Sequence, residues 1–433
     1  MRRLAGSVDQ VIRLPQSQLG RNILSNYAAA LWLGVLSLAL MPLYLRLLGP
    51  NQWGLVAMCM SMQALMSLLD AGLGQIMPRD VARVASRPTE VARVFHLFSR
   101  VYLALAVAGM LVGQVAIPWV ASRWIHAGGV AASDVMPALR LVLLQFFFQF
   151  ANSAHVGYWN GMQAQGLANL RQCTFATAKH ALAMVAIVAW RADALSYLWP
   201  FVAVSAIEYL ANGHSIRHNL DQSVRPRVTQ SDLRALVADV GWLAAGVLVG
   251  MLVSQVDRIA LARAVDIAAF GRYVIATNLG LALMQLQQPL IRAFFPRIVQ
   301  ARGQADLVPM RGLTVGIVAL CVVPCALTAL FAPEILRLWT RDPIVVAEGT
   351  TPLRFVLGAV AINAMYQVTY QRLLSSASTR VIFRINIVVL AVTAPLAGFA
   401  TDRFGAAGAG FIWLAASTIQ LLAGLLAARG SAQ

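Results

Sequence analysis

Apolar runs about twenty residues long recur along this chain, each interrupted by a short polar or basic stretch. A helix of about 20 apolar residues spans a bilayer core of about 30 Å. Twelve such spans can be read, at about 23–45, 53–73, 97–120, 136–157, 168–190, 193–212, 236–256, 271–291, 310–332, 352–372, 381–400 and 404–428. The pattern predicts an all-α polytopic membrane protein of about 12 transmembrane helices, with no stretch left for a soluble domain. The first 22 residues are basic and contain no apolar core, so no cleavable signal is expected and the first run is read as span 1.

Several spans carry polar residues three or four apart, a spacing that gathers them on one helix face. Span 1 opens with Asn22, Ser25 and Asn26; span 4 shows Gln145, Gln149 and Asn152; span 10 shows Asn363, Tyr366, Gln367 and Tyr370. Polar groups at bilayer depth need partners or water. Two readings fit each stripe: hydrogen bonds between helices, or a shared polar cavity. Asn26, Gln149 and Asn363 are the candidates on the cavity reading.

Ionisable residues inside spans narrow the search. Lys179 lies near the middle of span 5, too deep to snorkel easily. It is expected to face water or an anion, the alternative being a structural ion pair. Arg140 and Arg354 lie one turn inside the ends of spans 4 and 10, and Arg272 sits similarly on span 8; these either snorkel or meet an anionic cargo on its way out. Asp70, Glu208 and Asp239 lie within about a turn of a span boundary and are candidates for proton or ion coupling. Asp257-Arg258 reads as a local interface anchor.

Composition agrees. Hydrophobic residues make up 59% and charged residues 12%, with mean hydropathy +0.69, against about 25% charged in soluble domains. A net charge of +17 invites a nucleic-acid reading, but its placement opposes one. With the N-terminus, the even-numbered loops and the C-terminus on one side, 23 of the 34 basic residues fall there. The positive-inside rule then puts both termini in the cytoplasm and makes anionic membrane lipid a partner. Arg79, Arg83 and Arg87, with Val81 and Val84 between them, predict a short amphipathic helix on the inner face. Cys59, Cys173, Cys321 and Cys325 all have apolar neighbours and read as core packing; no metal site and no cofactor is expected.

The second half echoes the first. Arg46 to Trp53-Gly54 matches Arg263 to Phe270-Gly271; Pro78-Arg79 matches Pro296-Arg297; Leu139-Arg140 matches Leu353-Arg354; Asn169 matches Asn386, all at offsets of 214–218. Duplicated halves in an apolar chain build transporters with two lobes around a central cavity. The expected lobes are 1–215 and 216–433, six helices each, joined by a hinge loop at about 213–235. An even helix number per half keeps both halves in one orientation.

Enzyme signatures are missing. Lys179 is the only lysine and is followed by His180, so no Walker A loop exists. Neither HExxH nor Gly-x-Ser-x-Gly occurs, and the outer loops are too short for membrane polymerase or glycosyltransferase chemistry. Gly398-Phe-Ala-Thr-Asp402-Arg403-Phe-Gly405 mimics a major-facilitator loop but stands at the wrong place in the topology.

Leu47-Leu-Gly-Pro-Asn-Gln-Trp-Gly54, then Leu68-Leu-Asp-Ala-Gly-Leu-Gly74 and Pro78-Arg79, resemble the polysaccharide flippases, the Wzx-type O-antigen transporters. Asp257-Arg-Ile-Ala-Leu261, Phe270-Gly-Arg-Tyr273, Phe294-Phe-Pro-Arg297 and Gly405-Ala-Ala-Gly-Ala-Gly410 extend the likeness over nearly the whole chain. Multidrug and lipid II exporters belong to the same superfamily. The resemblance implies transport of undecaprenyl-pyrophosphate-linked oligosaccharide from the inner to the outer leaflet of the cytoplasmic membrane, with polymerase and chain-length proteins as further partners. It names no substrate residues. Lys179, with Arg140, Arg272 and Arg354 nearer the exit, follows from the depth argument alone. The competing readings are a multidrug or small-molecule antiporter of the same fold, and a membrane-embedded biosynthetic enzyme.

Overall fold

The computed structural model describes residues 18–70, 72–123, 130–220, 245, 248–288, 290–291, 308–375 and 379–430. Helices α1 (Gln18–Met66), α2 (Leu73–Arg83), α3 (Pro88–Arg123), α4 (Ala132–Gly161), α5 (Gln165–Ala189) and α6 (Ala194–Asn219) make up the first half. The second holds α7 (Val256–Ala264), α8 (Ile267–Met284), α9 (Val308–Ile317), α10 (Val323–Leu330), α11 (Ala332–Thr340), α12 (Pro343–Ser375) and α13 (Thr379–Gly430). A π-helical turn, Val318–Val322, joins α9 to α10. Among the described residues there is no strand.

Nine stretches of described helix are long and apolar enough to cross a membrane. Two of them, Leu24–Asp70 and Arg380–Ala427, run 47 and 48 residues, about twice what one crossing needs. Each is bent at a glycine with positive φ, Gly49 at 74° and Gly405 at 54°. A side chain would resist that conformation, and Pro50 after Gly49 is preset to start the next helix. Each bent helix is therefore long enough for two spans, which brings the candidate crossings among the described residues to eleven. The twelfth expected span, 236–256, lies mostly outside the described residues. Large apolar side chains point outward, among them Leu31, Val112, Val188 and Leu426, as a lipid solvent requires. The chain is a multi-pass membrane protein.

Two differences from the sequence reading have simple causes. The basic helix between spans 2 and 3 is α2, and its Met77 and Val81 are buried against Gly157 and Gly161 of α4. Its apolar face is covered by protein, while Arg79 and Arg83 stay exposed. Helix α11 is an extra amphipathic element: Leu336 joins the core formed by Leu353, Val356 and Val360, while Leu338 is exposed. Cys59 packs in the interior as expected, while Cys173 is only half-buried. Cys321 and Cys325 are buried, in two separate apolar clusters.

The chain forms two compact units, one from residues 1–40, 72–117 and 137–240, the other from 41–71, 118–136 and 241–433. Most of each expected lobe falls in one unit, yet 41–71 and 118–136 pack with the C-terminal residues. The contact that draws them there is made by the repeated motif itself. Trp53 Nε1 donates to the Gly271 carbonyl at 3.3 Å, and Trp53 stacks on Tyr44. A Cβ on Gly54 would overlap the Ile267 carbonyl, and one on Gly271 would sit 2.8 Å from the Gly54 Cα. Backbone meets backbone there, which only glycine permits. Arg46 adds a bond to the Thr340 carbonyl at 3.1 Å. Trp53-Gly54 and Phe270-Gly271, mates in the sequence repeat, thus touch each other.

Candidate functional site: a charged cavity in the first unit

A cavity of about 350 Å³ opens inside the first unit, lined mainly by α4, α5 and α6. Its wall mixes amides (Gln149, Asn152, Asn212, Gln172), aromatics (Trp159, Phe201), His180 and three charged groups: Arg171, Lys179 and Glu208. The helices hold these side chains by register. Gln149 and Asn152 lie one turn apart on α4; Arg171 and Lys179 lie two turns apart on α5; Glu208 and Asn212 lie one turn apart on α6.

Hydrogen bonds join them into one network. Lys179 Nζ donates to Glu208 Oε2 at 2.8 Å, and both side chains are about nine-tenths buried. Asn152 Nδ2 donates to Glu208 Oε1 at 3.1 Å, and Asn212 Nδ2 donates to Asn152 Oδ1 at 2.9 Å. His155 Nδ1 lies 3.0 Å from the same Asn152 oxygen. Arg171 Nη1 donates to Asn212 Oδ1 at 2.9 Å and to the Ala211 carbonyl at 3.3 Å. Its guanidinium lies 5.1 Å from the Trp159 ring centre, within cation–π range. The charged groups lining the cavity sum to a net positive charge.

Lys179 thus forms the ion pair that its depth left open as the alternative. An unpaired ammonium at this depth is too costly, and Glu208, 29 residues away on the next helix, offers the partner. Of the expected site residues, the structure brings Lys179, Gln149 and Glu208 together. Asn26 lies apart, in a polar seam between α1 and α5. It donates to Gln165 Oε1 at 2.8 Å and accepts from Asn169 Nδ2 at 2.6 Å. Asn22, Ser25 and Trp32 extend that seam to the Gln163 carbonyl, Asn169 and Thr177, so this stripe serves helix-to-helix hydrogen bonding.

The three arginines do not join the cavity. Arg140 is exposed on α4. Arg272 Nε pairs with Glu348 Oε2 at 2.7 Å, and Arg354 Nε donates to the Ala329 carbonyl at 3.0 Å, both in the second unit. Asn363 accepts from Gln287 Nε2 at 3.4 Å, also in the second unit. Asp70 ends a half-buried 3-10 turn after α1, and Asp239 lies outside the described residues. Asp257 is no surface anchor: it is buried, with Oδ2 accepting from the Tyr273 hydroxyl at 2.6 Å, while Arg258 donates to Asn278. Sequence reading missed Arg171, Asn212, His155 and Trp159. Arg171 falls near the start of span 5, and α5 begins six residues before it.

Residues 19–302 match the family model described as polysaccharide biosynthesis protein. The chain belongs to that family. No curated protein matches this family member significantly. Among solved structures it is similar to an inward-facing multidrug resistance MATE family transporter of the MOP superfamily, with TM-score 0.75 and 15% identity over 94% of this chain and 95% of that one. The lipid II flippase MurJ, in an inward closed conformation, gives TM-score 0.73 and 12% identity over 94% and 87%. A MOP superfamily transporter from Pyrococcus furiosus gives 0.66 and 15% over 97% of both chains. At such identities the likeness establishes the fold, the all-α architecture of these transporters.

Proposed function

We propose that this polysaccharide biosynthesis family member is a flippase and not an enzyme. It moves an undecaprenyl-pyrophosphate-linked oligosaccharide, an O-antigen or similar surface unit, from the inner to the outer leaflet of the cytoplasmic membrane by alternating access. The observation that carries this reading is the amide-rich, net cationic cavity inside a membrane-spanning bundle. Amides and aromatics suit sugar hydroxyls and ring faces, and guanidinium suits phosphate. The lipid tail stays in the bilayer. With the cell interior negative, outward movement of about two negative charges gains roughly 4–5 kcal/mol per 100 mV.

In this reading Gln149, Lys179 and Glu208 line the headgroup path. Glu208 is the candidate coupling residue inside this cavity. The two lobes are 1–215 and 216–433, both termini are cytoplasmic, and polymerase and chain-length proteins act downstream. Deleting the gene is expected to abolish surface polysaccharide and accumulate its lipid-linked unit in the inner leaflet. A deletion strain with normal surface polysaccharide defeats the proposal.

One observation favours a second reading, a cation-coupled multidrug or small-molecule antiporter. Glu208 is a cavity carboxylate near aromatic Phe201, and the fold is shared with a multidrug transporter. The net positive lining weighs against cationic cargo.

A further inference from the structure

Three formal charges line the cavity, and they are not equivalent. Both Glu208 oxygens are occupied, one by Lys179 and the other by Asn152. Lys179 is neutralised by that contact. Arg171 has no carboxylate partner among the described residues. Among those residues it bonds to neutral oxygens, those of Asn212 and Ala211, through a single nitrogen. A guanidinium carries five N–H donors, so most of its fork remains available. The fork is also preorganised: Asn212 fixes one arm, and its central carbon lies 5.1 Å from the ring centre of buried Trp159. Planar, weakly hydrated and always charged, such a group binds phosphate oxygens two at a time. Arg171 lies eight residues before Lys179 on α5, about 12 Å along the helix.

We propose that Arg171 is the residue that binds the phosphate or diphosphate group of the cargo, and that the Lys179–Glu208 pair forms the wall of the site, not its anion ligand. This rests on the flippase reading and names the contact within it. Lys179 meets the phosphates only if Glu208 lets go, whereas Arg171 is ready in the state seen here.

The test uses the full-length protein in phosphatidylcholine nanodiscs, titrated calorimetrically with farnesyl diphosphate and, separately, with inorganic diphosphate. Wild type is expected to bind the farnesyl compound. Arg171→Gln, which keeps a hydrogen-bond donor but no charge, should weaken binding by about tenfold or more, and Arg171→Lys by less. Arg140→Gln, at an exposed position on α4 outside the cavity, should stay within about threefold of wild type. Thermal melting of each variant separates loss of binding from loss of fold. Inorganic diphosphate binding as tightly as the farnesyl compound would mean the site reads phosphates alone; weaker binding would mean the lipid contributes. Either result upholds Arg171. Unchanged affinity in Arg171→Gln overturns the assignment, as does an equal loss in Arg140→Gln or no binding of farnesyl diphosphate by wild type. Complementation separates the layers. If wild type restores surface polysaccharide to the deletion strain and Arg171→Gln restores it equally, the site is wrong and the flippase reading stands.

Discussion

Lys179 and Leu396 occupy matching places in the sequence repeat, 217 residues apart, and differ completely in chemistry. The same offset pairs Arg171 with Val388 and Glu208 with Leu425. In the first half these positions line a cavity and form a charged network. In the second, Leu396 packs on a cluster of Val256, Ala397, Ala400 and Ile412, while Val388 and Leu425 are exposed. Duplication supplies two copies of a scaffold, and polar residues survive at bilayer depth only where something needs them. The half that kept charges on its repeat positions is the half to search for cargo.

The largest effect should come from splitting the charged pair. Glu208→Ala leaves Lys179 buried without a partner and is expected to destabilise the protein by about 3–5 kcal/mol. The double variant Lys179→Met/Glu208→Leu should recover most of that loss. Thermal unfolding followed by size-exclusion chromatography measures both; a single variant as stable as wild type would show the pair to be solvated.

The reciprocal change is next. Leu396→Lys places an ammonium against the apolar cluster of Val256, Ala397, Ala400 and Ile412. The expected insertion penalty is about 2.5–3.5 kcal/mol, read as a fall in folded membrane-inserted protein. Unaffected yield would mean that the second half hides polar surroundings at this depth.

A smaller loss is expected where the two halves of the repeat touch. Gly54→Ala forces a methyl into the Ile267 carbonyl and should cost about 1–3 kcal/mol, as overpacking does. Gly34→Ala, with open space around it, is the control. Smallest is the α1–α5 seam: Asn169→Ala removes bonds to Ser25 and Asn26, worth about 0.6 kcal/mol for an interhelical pair in a membrane.

Much of the fold could be read from the chain. Hydropathy located the spans because lipid permits little else, and Gly49-Pro50 marks a bend that any reader of turn chemistry would place there. The repeated Trp/Phe-Gly motif was visible too, but its self-contact was not, because close backbone approach leaves no mark beyond the glycines. The site was half legible. Depth singled out Lys179, and a stripe singled out Gln149. The pairing with Glu208 depends on how α5 and α6 face each other, which no local pattern encodes. Arg171 was hidden for another reason. Charge counting treats every arginine near a span end as a topology signal, and this one points inward onto Trp159 and Asn212.

Transport itself gives the most direct test. The purified protein would be reconstituted into liposomes bearing a potential and an undecaprenyl-pyrophosphate-linked oligosaccharide, with a lectin reporting the sugar on the destination face. The account predicts that the accessible fraction rises with wild type, faster when the destination face is positive. A fraction that stays at the protein-free level, at any potential, would contradict it.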